Sequence, residues 1–395
     1  MTVALGVQEA MKSASWIRRM FEAGQALKEQ VGADQVFDFS LGNPVLEPPE
    51  AFASALRELT NAPPKGMHRY MPNAGFPSTR QCLAQALSEE QQQPFVANDV
   101  IMTVGAAGAL NVALRTVLDP GDQVIVIAPY FVEYLFYVGT HGGEPRVVRA
   151  ADDFDLDLAA IEQAITPKTK AIIVNTPNNP TGRIYTPQRI AELAALLERA
   201  EQRYDRSIYL LFDTPYAKIT YDGRKNPPLF SDHKNTLLAH SHSKDLGLAG
   251  ERIGYLAISP RAEHRSMLSD AAAFNNRVLG FINAPAIMQL ALERSLGATV
   301  DVASYRRARK TITEGLRDAG YQFASPEGAF YLFPRCPIED DLRFTEILRE
   351  QHVLVVPGRG FGWPGYIRVA FCVEHEVIER ALPRFADAFT RARQV

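Results

Sequence analysis

From about residue 100 the chain alternates short, almost wholly apolar runs with longer stretches whose apolar residues recur at helical spacing. "VIMTV" is followed by "AGALNVALRTVL", the turn "DPGD" and the run "QVIVIA"; later come "KAIIVN", the helix-period "TPQRIAELAALLERAEQ", "IYLLFD", "TLLAHS" and "RIGYLAI". Strands that lack a polar face are covered on both sides, and intervening helices supply the crossovers, so the pattern predicts an α/β unit on a mostly parallel sheet. Ligands on such sheets bind where strands end and loops begin.

After roughly residue 285 the texture changes. The helix-period "VASYRRARKTITEGLRDAG" leads into short strands, "GAFYLF", "VLVVP" and "YIRVAFC", and a closing helix, "EVIERALPRFADAFTRA". This predicts a smaller α+β unit. The amphipathic stretch "VQEAMKSASWIRRMFEAGQALKEQ" and the loop "SLGNPVLEPPE" are expected to join it, giving a large unit at 48–284 and a small one from 1–47 plus 285–395. A chain of 395 residues exceeds the size at which single cores stop growing, which also favours two units.

Composition narrows the function classes. A net charge of −3 argues against a nucleic-acid binder, and the one basic cluster, "SYRRARK", reads as a solvated helix face. No run reaches membrane-spanning length, and the N-terminus does not read as a secretory signal. Cys82, Cys336 and Cys372 are scattered and odd in number, as expected of reduced thiols in the cytoplasm.

Candidate chemistry clusters at the predicted strand ends. "HSHSKDLGLAGERIGY" sets Lys244 among hydroxyls with Arg252 downstream; "IYLLFDTPY" ends a strand at Asp213 and adds Tyr216; "NTPNNPTG" contributes Asn179. Taken singly, a surface turn, a helix cap and a Pro/Asn turn explain each as well. Together with "SLGNP", "YMPNAGFPSTR", "TVGAAGAL", "GAFY" and "YIRVAFC", in order from residue 40 to 372, they make the sequence resemble the class I and II, aspartate-aminotransferase-like enzymes.

That resemblance implies fold type I, with a mostly parallel seven-stranded sheet in the large domain, and pyridoxal 5'-phosphate as cofactor. It makes Lys244 the lysine that forms the Schiff base and then moves a proton, a role that needs an amine neutral part of the time. Asp213 would keep the pyridine nitrogen protonated, Tyr216 and Asn179 would bond the ring's phenolic oxygen, and Phe131 would stack on the ring. For the phosphate it implies the backbone N–H groups of Ala106 and Ala107 at a helix start, with Ser241, Ser243 and Arg252. Tyr70 would reach the phosphate from the neighbouring subunit, implying a homodimer. Arg368 would take the substrate α-carboxylate, with Asn179 assisting and Gly42 closing over it. Arg368 lies mid-strand among apolar residues, so a buried partner is expected there in any case.

The implied activity is ping-pong transfer of an amino group between an L-amino acid and a 2-oxo acid. The same motifs also serve C–S lyases, decarboxylases and synthases, and a non-catalytic cofactor-binding regulator is a reading from another class. Ala107 stands where the aspartate/prephenate branch commonly has a lysine, which weighs against a dicarboxylate substrate; Trp16, Ile17 and Tyr70 suggest an apolar lining instead. Other signals fall away. "GFGWPG" precedes a strand and carries a proline where a dinucleotide-binding helix would open. "DDFDLD" lacks a calcium loop's glycine and reads as a capped helix entry. His240 and His242 show no carboxylate or cysteine partner at metal spacing, so no metal is expected.

Overall fold

The computed structural model describes residues 3–12, 24–25 and 27–394. The predicted N-terminal helix is therefore described only in part, as Leu5–Lys12 and a short stretch near residue 30, and Trp16 and Ile17 lie outside the described residues. A two-residue strand β1 (Phe37–Asp38) precedes seven strands: β2 (Val100–Thr103), β3 (Gln123–Ala128), β4 (Glu144–Arg149), β5 (Thr169–Asn175), β6 (Tyr209–Asp213), β7 (Thr236–Ser241) and β8 (Gly254–Ile258). They form one sheet in the order β2-β8-β7-β6-β5-β3-β4. β3 to β7 pair in parallel, whereas β8 is antiparallel to both β2 and β7.

The apolar runs became strands because they could be covered on both faces. Ile125, Ile172, Leu210 and Leu238 join one core cluster, while Val126, Ile173, Leu211 and Leu237 join another on the opposite side. Helix Gly105–Val117 packs on one face with nine buried residues, and helix Pro187–Tyr204 on the other, its N-terminus capped by Thr186. β4 was not legible in the sequence. It is an edge strand, with only Val148 buried, and it carries a proline and two arginines, the features that blunt an exposed edge.

The smaller unit has its own core, in which Phe37 and Phe39 meet Tyr305, Ile312, Phe344, Ile378 and Phe385. Its strands are β9 (Tyr331–Leu332), β10 (Val353–Leu354), β11 (Val356–Pro357) and β12 (Ile367–Ala370); β12 pairs antiparallel with β11 and β9, and β10 runs parallel to β1. Helix Ala286–Arg294, expected in the smaller unit, instead puts Met288, Ala291 and Leu292 into the larger core against Phe52, Ala55 and Leu59. We therefore propose a boundary nearer Val300, the first residue after that helix to join the smaller core.

Candidate active site

The carboxyl ends of the parallel strands all open toward the same place. β6 ends at Asp213, β5 at Asn175, and β7 runs into the four-residue helix His242–Asp245 that carries Lys244. β2 leads into the N-terminus of helix Gly105–Val117, and Phe131 follows β3. Between these ends and the smaller unit lies a cavity of about 260 Å³ whose lining includes Gly42, Ala106, Ala107, Phe131, Asn179, Asp213, Tyr216, Ser241, Ser243, Lys244, Arg252 and Arg368. Every expected site residue is thus at one cavity except Tyr70, which is 93% exposed on its own chain.

One end of the cavity is built for an anion. Gly105 opens its helix with φ +80°, and a Cβ there would come within 3.0 Å of Arg252 Nη2 and 3.3 Å of Ser241 Oγ. Glycine thus lets the helix start sit against both groups, with its first N–H groups unpaired within the helix. Ser241 Oγ and Ser243 Oγ are 2.7 Å apart, and Arg252 Nη1 reaches Ser243 Oγ at 3.5 Å.

On the cavity floor Asp213 is buried. Tyr134 donates its hydroxyl to Oδ2 at 2.5 Å and Asn175 Nδ2 donates to the backbone oxygen at 2.9 Å, but Oδ1 is buried without a partner. Burial pushes this carboxyl up to about 6, against the opposing pull of the Tyr134 bond and of His240. Lys244 Nζ donates to the Gly42 carbonyl at 2.6 Å. Burial first, with Arg368 and Arg252 adding to it, brings this amine down to about 8. An acid and a base have both been shifted toward neutrality in one cleft, a recurring mark of functional sites.

Arg368 is held without an ion pair among the described residues. Nη1 donates to Asn179 Oδ1 at 3.1 Å and Nη2 to the Ser40 carbonyl at 2.5 Å; Nε has no partner. The expected buried partner is therefore neutral, and the full positive charge remains to meet an anion. The guanidinium lies 4.7 Å from the Tyr331 ring centre and 4.9 Å from that of Phe361. Asn179 is fixed in turn through its backbone N–H, which donates to Asn175 Oδ1 at 2.6 Å.

Several contributors lay beside the expected residues without being singled out: Tyr134 follows Phe131 by three positions, Asn175 begins "NTPNNPTG", and Tyr331 ends "GAFY". One expectation is corrected. His240 and His242 do have a carboxylate partner: Asp245 Oδ2 is 3.1 Å from His242 Nδ1, 3.5 Å from His240 Nε2 and 3.5 Å from Lys218 Nζ. The partner sits one helical turn beyond His242, a separation that only the short helix turns into contact. Lys218 supplies the counter-charge, and His240 Nδ1 is tied to the Thr214 carbonyl at 2.9 Å. "DDFDLD" is the expected helix entry, with Asp157 accepting from Ala160 N.

Comparison with known proteins bears on the family and the fold. A family model described as aminotransferase class I and II matches residues 34–385. The chain is 33% identical over 390 residues to the aspartate/prephenate aminotransferase of Thermus thermophilus, covering 97% of this chain and 98% of that protein. Aromatic-amino-acid aminotransferase 2 of Thermococcus litoralis is 30% identical over 407 residues, covering all of both chains. Among solved structures, an aminotransferase from Eubacterium rectale matches with a TM-score of 0.95 at 35% identity over 99% of each chain. The Thermus thermophilus aspartate aminotransferase with maleate matches at 0.86 and 30% identity, covering 98% of this chain and 100% of that one.

Proposed function

The chain belongs to the class I and II aminotransferases, which use pyridoxal 5'-phosphate, and on that premise we propose how its own residues divide the work of moving an amino group between an amino acid and a 2-oxo acid. The residues present fit the cofactor. The orphaned Asp213 Oδ1 is an acceptor for a protonated ring nitrogen; the helix start, Ser241, Ser243 and Arg252 suit a phosphate dianion; Lys244 offers an amine already lowered toward neutrality. Bound there, the cofactor supplies an aldehyde that amines can join and an electron-withdrawing ring.

Asp213 holds the proton on that ring, with Tyr134 fixing its other oxygen. Tyr216 and Asn179 would hold the ring's phenolic oxygen, and Phe131, set edge-on to Tyr134 at 5.6 Å, would supply the apolar wall beside the ring. Arg368 takes the substrate carboxylate, with Asn179 placing the guanidinium. The Gly42 carbonyl keeps Lys244 Nζ in place until substrate enters, after which the amine carries the proton to and from the substrate α-carbon. Alternation of donor and acceptor in one site gives ping-pong kinetics.

We also place the working unit as a homodimer in the cytoplasm. Tyr70 and Arg252 are exposed on the single chain, and helix Arg265–Val278 leaves Met267, Phe274 and Val278 exposed along one side. The cysteines are free, and no described helix is long and apolar enough to cross a membrane. Sedimentation velocity at micromolar concentration should give twice the chain mass.

The convergence of Lys244, Asp213 and Arg368 on one cavity carries this reading. Its test is a panel of donors, aspartate and aromatic amino acids included, with the visible spectrum followed as each is added. A donor should bleach the cofactor band and a 2-oxo acid should restore it. Lys244→Ala should lose borohydride labelling of the chain and nearly all turnover. A wild type that no donor bleaches, or a Lys244→Ala variant with full turnover, refutes the assignment; release of pyruvate and ammonia from a cysteine conjugate without an acceptor would point to a lyase.

A further inference from the structure

Tyr331 has been given no task so far, yet it touches each part of the cavity that handles substrate. Its hydroxyl lies 2.8 Å from that of Tyr216, its ring lies beneath Arg368, and it is 2% exposed. It also limits the strap that holds Lys244, because a Cβ on Gly42 would fall 2.0 Å from the Tyr331 hydroxyl oxygen. The ring is gripped by edge contacts with Tyr216 at 5.6 Å and tilted packing on Phe330 at 5.0 Å. A side chain fixed this firmly can hold its neighbours.

Resting on the roles given above, we propose that Tyr331 is a positioning residue with two separable functions: its hydroxyl orients the Tyr216 phenol, and its ring seats the Arg368 guanidinium. Each phenol has a single proton to donate. When Tyr216 donates to the ring oxygen of the cofactor, the bond between the two phenols must run from Tyr331 to Tyr216. A hydroxyl that accepts one bond donates a stronger one, by cooperative polarisation. Tyr331 thereby strengthens the donor that stabilises negative charge on that oxygen, which favours loss of the proton at the Lys244 nitrogen. The ring acts separately, through cation–π attraction on a face that Arg368 would otherwise lose.

The test uses purified holoenzyme and two variants. Tyr331→Phe keeps the ring and removes the hydroxyl. The pH midpoint of the visible band, read without substrate, should rise by about 0.3 to 0.5 unit, and kcat should fall several-fold while KM for the donor stays near wild type. Tyr331→Leu removes the ring as well, and KM should rise roughly five- to thirty-fold. Equilibrium titration of apoprotein with pyridoxal 5'-phosphate, expected within about two-fold of wild type for Tyr331→Phe, guards against simple misfolding. A Tyr331→Phe variant with the wild-type midpoint and kcat overturns the hydroxyl's role; a folded Tyr331→Leu variant with the wild-type KM overturns the ring's. A wild type that no donor bleaches sinks the proposed roles and this one with them. A responsive wild type beside indistinguishable variants sinks this proposal alone.

Discussion

Replacing Asp213 by asparagine should make the apoprotein more stable at neutral pH while disabling the enzyme. The carboxyl is raised from 3.8 to about 6, chiefly by burial. An acid whose folded-state value is raised binds its proton more tightly when folded, so stability falls as pH rises from about 4 to 6 and the full penalty persists above it. Two units correspond to about 3 kcal/mol. The amide avoids that penalty and still accepts from Tyr134, but it puts an N–H₂ where Oδ1 has no partner, which returns about 1 kcal/mol. The variant should therefore gain roughly 1–2 kcal/mol at pH 7.5 and lose that gain near pH 4. Urea denaturation of both apoproteins at the two pH values measures this, and comparing the variants cancels the titrating groups that do not touch Asp213. Saturating cofactor should reverse the order, because a cationic ring nitrogen pairs only with the carboxylate. The reasoning fails if the variant is the less stable apoprotein at pH 7.5, or if the difference between the two does not change with pH.

Arg368→Lys retains the charge and loses the planar fork between Asn179 and the Ser40 carbonyl; KM for amino donors should rise roughly 30- to 100-fold, and a change under three-fold in steady-state kinetics would show that the guanidinium is not the carboxylate's holder. Gly42→Ala places a methyl group 2.0 Å from the Tyr331 hydroxyl, so the strap that accepts from Lys244 must move. Overpacking of this kind costs about 1–3 kcal/mol. It should appear as a lowered melting temperature together with reduced kcat/KM, and wild-type values for both would refute the contact.

Much of this architecture could be read from the chain because burial on both faces writes itself as continuous apolar runs, and because those runs end on residues that line the cavity. Asp213 closes β6 and Asn175 closes β5, each directly after a run of buried apolar residues. Other features leave no such trace. β4 sits at an edge, where selection favours the polar residues that hide it. The reversed direction of β8 is decided by a connection of about a dozen residues, a length compatible with either sense. Helix Ala286–Arg294 shows its apolar side in the sequence, but which core that side meets is a tertiary fact. Tyr331 was missed because its partner, Tyr216, lies far away in sequence, and Asp245 because its three-residue separation from His242 becomes a contact only through the short helix.

A chain with net charge −3 has gathered three cationic side chains, Lys244, Arg252 and Arg368, around one carboxylate, Asp213, and a helix N-terminus adds to the positive side. That local excess accounts for both classes of ligand. In the proposed roles, Arg252 and the helix start meet the phosphate dianion, and Arg368, which no described carboxylate neutralises, meets the substrate carboxylate. Burial makes the excess tolerable by weakening one member, since an amine brought down to about 8 gives up its proton far more readily than an ordinary lysine. Lys244 is thus the cation the site can spare, and it is the one whose chemistry requires the neutral form. Arg252 and Arg368 offer planar forks of donors instead, which suits the fixed holding roles proposed for them, while the lysine is the one proposed to change charge.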